Sequence, residues 1–213
     1  MKFTQLIVPI SALLLGCSAS TTKEEPLFAD VQEELNELSV AYFASGCFWC
    51  AEAIFELVEG VSEAISGYSG GDAKDANYKA VSSGKTGHAE TVAVYYDPEI
   101  VDYSTLLVVF FDSHDPTTKN QQGPDIGPQY RSAIFYTNEQ EKIWAENYIR
   151  KLLDEGVFPK ITTTIEEFSR FYPAEKYHQN FKEKNPDNPY VKGVSKPRLE
   201  KFQKKQPDLL KKD

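Results

Sequence analysis

Apolar residues between positions 40 and 190 recur at two spacings, and the switches between them mark out the elements. Residues 40–44, Val-Ala-Tyr-Phe-Ala, form a short apolar run that predicts a buried strand. Residues 51–58 place Ile54, Phe55 and Val58 on one helical face. Residues 61–68 read as extended and run into Ser69-Gly70-Gly71-Asp72, a turn cluster. A helical turn is predicted over 77–83, a loop over 84–88, and a strand over 89–96 closed by Asp97-Pro98. Helical spacing returns over 103–112. Residues 117–130 have no period and four Gly or Pro residues, which makes them a long loop of the kind that carries function in a compact domain. A strand at 131–136 precedes a helix at 138–154, with Asn138 as its N-cap and Gly156 as its stop. A last strand is predicted at 161–168 and a last helix at 174–184. Strands and helices intermix without a strict βαβ repeat, so the expected class is α+β, a two-layer sandwich.

The two ends read differently from this middle. Lys2 precedes an apolar run at residues 6–15, too short to span a bilayer and the right length for a signal-peptide core. The run ends in Leu14-Leu15-Gly16-Cys17, which resembles the lipobox of bacterial lipoproteins. That resemblance implies removal of residues 1–16, lipidation of Cys17, and anchorage to a membrane of a bacterial cell envelope with the domain outside the cytoplasm. Residues 17–39 are polar and acidic and read as a tether; 40–190 are the compact domain. Residues 191–213 carry eight basic side chains and read as a solvated, partly mobile tail. A net charge of -9 argues against nucleic acid as the main partner. With Cys17 lipidated, the three cysteines reduce to one pair, Cys47 and Cys50, in an oxidising compartment.

That pair stands in Gly46-Cys47-Phe48-Trp49-Cys50, where the predicted strand turns into the predicted helix. Free backbone N–H groups and the helix dipole favour a thiolate at such a turn. A second sulfur one helical turn on is placed to trap whatever the first becomes. Taken alone, Cys-x-x-Cys also fits a structural disulfide, a thioredoxin-like redox pair or half of a zinc site. Zinc needs two further ligands, and His88, His114 and His178 are scattered singly. The strand–Cys-x-x-Cys–helix order is thioredoxin-like, but Phe-Trp between the sulfurs is bulky and the rest of the chain does not follow a thioredoxin alternation.

Further groups occur in order: Gly67-Tyr-Ser-Gly-Gly71, Gly84-Lys-Thr-Gly-His-Ala-Glu90, Tyr96-Asp-Pro98, His114-Asp-Pro-Thr117, Gln122-Gly-Pro-Asp-Ile-Gly-Pro-Gln-Tyr-Arg-Ser132 and Ala174-Glu-Lys-Tyr-His-Gln179. With Gly46-Cys-Phe-Trp they closely resemble the A-type peptide methionine sulfoxide reductases across residues 40–190. The resemblance implies a ferredoxin-like core with a mixed sheet, a monomer, and no metal or organic cofactor. It implies thiol-dependent reduction of the S-epimer of methionine sulfoxide, free or in proteins, with a thioredoxin-like reductant. Carried onto this chain, it makes Cys47 the nucleophile and Glu90 the acid, its pKa raised by burial. Phe48 and Trp49 wall the substrate methyl, the Tyr78 and Tyr130 hydroxyls bind the sulfoxide oxygen, and Asp125 helps hold substrate or a water. His88 and Arg131 position loops. Many members have Gly where this chain has Cys50 and carry resolving cysteines near the C-terminus. None follows Cys50 here, so Cys50 is the intramolecular candidate for a disulfide with Cys47. A lipid-anchored thiol–disulfide oxidoreductase, which would not need Glu90, is the competing reading.

Overall fold

The computed structural model describes residues 38–212. The signal-peptide reading, Cys17 and nearly all of the acidic tether lie outside them. Among the described residues there are eight strands: β1 (Ser39–Ser45), β2 (Val61–Ser69), β3 (Ala89–Tyr96), β4 (Gln121–Gln122), β5 (Asp125–Ile126), β6 (Ser132–Tyr136), β7 (Thr164–Glu167) and β8 (Phe171–Pro173). Six of them form one sheet in the order β7-β6-β1-β3-β2-β8, while β4 and β5 pair separately inside the long loop. The β6–β7 pair is parallel and every other pair antiparallel, so the sheet is mixed and the class α+β.

The helices are α1 (Phe48–Phe55), α2 (Tyr78–Val81), α3 (Tyr103–Ser113), α4 (Glu139–Asp154), α5 (Phe181–Lys184) and α6 (Lys196–Lys205). Alternation along β1 explains how the sheet buries two faces. Phe43 points to the helices, stacking with Phe55 and Phe110 at 5.2 Å each. Its neighbours point the other way: Tyr42 stacks on Phe168 at 4.0 Å, and Ala44 joins Ala89, Ala133 and Phe135 in a second small cluster. Local signals set the helix ends. Asn138 accepts from the Glu141 N–H at 3.0 Å at the start of α4, and Gly156 lies just beyond its end at φ 68°.

Two expectations need correction. Residues 174–184 are not one helix: a 3-10 turn at Lys176–His178 and a left-handed Asn180 (φ 54°) precede α5. The side chain of Gln179 explains the break, because it binds Ser66 N–H and the Ser66 and Ala174 carbonyls, tying the segment to β2. The larger difference is at the C-terminus, which is no solvated tail. A π-helical turn at Val191–Ser195 runs into α6, and Leu199 and Phe202 are buried against the core. The basic side chains frame that apolar stripe, and Lys205 and Gln206 reach Asp112 at 2.7 and 2.5 Å. Burying one Phe side chain contributes roughly 1.5–3 kcal/mol, which favours the docked helix over a solvated one. Among the described residues no helix is long and apolar enough to cross a membrane.

Candidate active site

Gly46 makes the turn from β1 into α1 at φ 88°, and a Cβ there would stand 2.5 Å from the Gln122 Cβ, so only glycine fits. Cys47 takes the N-cap position of α1. Both sulfurs are buried, Cys47 at 5% exposure and Cys50 at 1%. The Phe48 N–H, one of the unpaired donors of the first helical turn, donates to Glu90 Oε2 at 3.0 Å. Glu90 lies on β3, fully buried, and burial pushes its carboxyl up from 4.5 to about 8 despite that hydrogen bond. Negative charge at Asp125 and Cys50 adds to the effect. Glu90 is therefore a carboxylic acid at neutral pH, and with Oε2 accepting from Phe48, Oε1 is left to carry the proton.

The sulfurs differ from expectation. Burial raises the Cys47 thiol well above its usual 9, and the neighbouring Cys50 and Glu90 raise it further. Cys50 goes the other way, to about 6, because the Cys47 thiol donates to it and Arg198, Ser195 and Tyr190 together outweigh burial. Ser195 Oγ stands 3.0 Å from Cys50 Sγ. The surroundings of the pair favour negative charge on Cys50 over Cys47.

Aromatic residues enclose these groups. Trp49 stacks on Phe181 at 3.7 Å and donates its indole N–H to His178 Nδ1 at 3.1 Å. Phe48 packs wholly inside, 5.0 Å from His178 and 5.9 Å from Tyr68, whereas Trp49 stays partly exposed. Burial first, and the charge of Glu90 second, keep the Tyr78 and Tyr130 hydroxyls protonated; Cys47 and Asp125 act on both as well. Asp125, on β5, accepts from the Tyr190 hydroxyl at 2.5 Å. Cys47, Cys50, Phe48, Trp49, Glu90, Tyr78, Tyr130 and Asp125 thus gather in one place. His88 binds the Asp72 carbonyl at 3.0 Å, and Arg131 spans Gly87, Pro128 and Glu166, so both hold loops around the site. An open cavity of about 590 Å³ lies alongside, bordered by Asp125, Tyr190 and Arg198; neither sulfur lines it.

Four residues at the site were not assigned from the sequence: His178, Tyr190, Ser195 and Arg198. His178 lies inside a quoted motif, but only the fold brings it to Trp49. The Ser195–Arg198 pair sits where lysines dominate the composition, although Leu199 and Phe202, three apart, were a helical signal. Among the described residues no group of three or more His, Cys, Asp or Glu side chains is arranged to hold a metal ion.

A buried dithiol facing a protonated carboxyl under an aromatic shelf is the equipment of a thiol-dependent oxidoreductase. The comparisons narrow this. The family model described as "Peptide methionine sulfoxide reductase" matches residues 39–210, and the chain belongs to that family of enzymes. It is 49% identical over 173 residues to the peptide methionine sulfoxide reductase MsrA 2 of Synechocystis, covering 80% of this chain and 81% of that protein. It is 46% identical over 166 residues to the MsrA of Picrophilus torridus, covering 78% and 94%. Among solved structures it resembles reduced Mxr1 from Saccharomyces cerevisiae, with TM-score 0.67 and 34% identity over 70% of this chain and 87% of that one. The methionine sulfoxide reductase A of Corynebacterium diphtheriae gives TM-score 0.62 and 35% identity, over 69% and 74%.

Proposed function

We propose that this enzyme reduces the S-epimer of methionine sulfoxide, free and in exported proteins, to methionine. Cys47 Sγ attacks the sulfoxide sulfur while Glu90 Oε1 gives its proton to the oxygen, and the oxygen leaves on Cys47 as a sulfenic acid. Tyr78 and Tyr130, held neutral, donate to the sulfoxide oxygen before the transfer, and Trp49 with Phe48 contacts the methyl. Asp125, fixed by Tyr190, orients the bound group. The single observation that carries this reading is the buried Glu90 carboxyl, its pKa raised by that burial, hydrogen-bonded to the residue that follows Cys47.

Cys50 then condenses with the sulfenic acid, and a thioredoxin-like dithiol reduces the Cys47–Cys50 disulfide. The cavity beside Asp125 leaves room for chain on one side of an oxidised methionine. Lipidation at Cys17 anchors the domain outside the cytoplasm, where it repairs exported proteins. Detergent-phase partitioning that is lost in Cys17→Ala supports the anchor; unchanged partitioning refutes it.

The reaction is tested by mixing the full chain with excess sulfoxide peptide and no reductant. One methionine formed and two thiols lost per chain, with neither in Cys47→Ser, is the expected result. Reduction of insulin disulfides without methionine formation would replace this reading with the disulfide oxidoreductase.

A further inference from the structure

Burial disfavours a thiolate at Cys47, while the Ser195 hydroxyl stands 3.0 Å from Cys50 Sγ, so Cys47 has a proton to lose as it reacts. Cys50 is where that proton can go, and the C-terminal segment is what equips it. Ser195 ends the π-helical turn and Arg198 lies three residues on, so both sit on one face of the continuing helix. Ser195, 1% exposed, puts its hydroxyl 3.0 Å from Cys50 Sγ. Arg198 is clamped over the turn that carries the cysteines: Nε donates to the Ser113 carbonyl at 2.6 Å and an Nη donates to Ser45 Oγ at 3.0 Å. A Cβ on Gly46 would lie 3.7 Å from Arg198 Nη1. The guanidinium is thus fixed beside the dithiol by α3 and β1.

We propose that Ser195 and Arg198 are positioning residues that hold the negative charge of the pair on Cys50, so that Cys50 accepts the Cys47 proton during attack. The inference rests on the sulfoxide reductase reading above. The first step turns Cys47–SH, Cys50–S⁻, Glu90–COOH and sulfoxide into Cys47–SOH, Cys50–SH, Glu90–COO⁻ and methionine. The sulfoxide sulfur gains two electrons and Cys47 loses two. In the second step Cys50 Sγ bonds to Cys47 Sγ, and the sulfenic hydroxyl leaves with the Cys50 proton as water. Cys50 therefore acts twice, as base and then as resolving sulfur, which a glycine at that position cannot do. The titratable and charged groups facing Cys50 are Cys47 before α1, Glu90 on β3, Tyr190 ahead of the π-turn and Arg198 on α6.

The test is the pH dependence of the methionine burst in the full chain, measured by quenched flow without reductant. Wild type should lose burst rate as pH falls through about 6, where Cys50 takes up its proton. Arg198→Gln should move that acid midpoint up by about one pH unit or more, the effect of removing a nearby opposite charge. Ser195→Ala should move it in the same direction, and Arg198→Lys should restore most of the wild-type midpoint. Lower rates at every pH with an unmoved midpoint in both Ser195→Ala and Arg198→Gln would make the two residues merely structural and overturn the proposal. A wild-type chain that forms no methionine at any pH would overturn the underlying reading instead, and the proposal with it.

Discussion

Replacing Glu90 with Gln keeps the size of the side chain and an acceptor for the Phe48 N–H, and removes only the acidic proton. A carboxyl titrating at about 8 is protonated in about nine chains of ten at pH 7, against about one in 300 at the ordinary 4.5. Burial therefore enlarges the supply of acid by about 300-fold, and a positioned general acid accounts for about 10²–10⁴ in rate. Glu90→Gln should lower kcat/KM for a sulfoxide peptide by about 100- to 1,000-fold, or roughly 3–4 kcal/mol in barrier. Wild type should also show an alkaline limb centred near pH 8 that the variant lacks. Stability supplies an independent check. The unfolded carboxyl loses its proton near 4.5 and the folded one near 8, so the folded state binds more protons across that window. Stability contributed by the neutral carboxyl is full below 4.5 and is lost as pH rises towards 8, in total about 5 kcal/mol. The Gln variant should gain on wild type in thermal melting as pH goes from 5 to 8. Steady-state assays and melts across pH would refute the reasoning if the variant kept activity within tenfold of wild type and the two melting profiles ran parallel.

Cys50→Ser should form one methionine per chain, more slowly than wild type, and then stop with a protein dithiol as reductant; sustained turnover would remove Cys50 as resolving sulfur. Replacing His178 with Ala leaves the Trp49 indole N–H without its acceptor, so KM should rise about five- to tenfold, the value of one hydrogen bond of about 1–1.5 kcal/mol. An unchanged KM would mean that His178 does not hold the shelf. Phe202→Ala should cost about 3–5 kcal/mol in urea unfolding, since the ring is wholly buried; a loss below about 1 kcal/mol would return the C-terminal helix to the status of an appendage.

The strands were legible because apolar and β-branched runs such as residues 89–96, closed by Asp97-Pro98, are a local signal, and β3 spans Ala89–Tyr96. The Asn138 cap and Gly156 stop were legible for the same reason. Residues 174–184 were not, since a side chain 113 positions away from its backbone partner decides their course. The C-terminal helix was hidden by its lysines, which surround an apolar stripe only two or three residues wide. At the site, residue types and motif positions named the groups, but not their charges. Protonation depends on burial and on who donates to whom, and Glu90 taking the Phe48 N–H is a contact across 42 positions. The sulfurs likewise depend on burial and on Tyr190, Ser195 and Arg198, which reach them from far along the chain, and no local pattern carries that.

The most direct test of the account is turnover driven by dithiothreitol on separated S- and R-epimers of a methionine sulfoxide peptide. Reduction of the S-epimer alone, abolished in Cys47→Ser, is the predicted result; turnover of the R-epimer, or of neither, would contradict it.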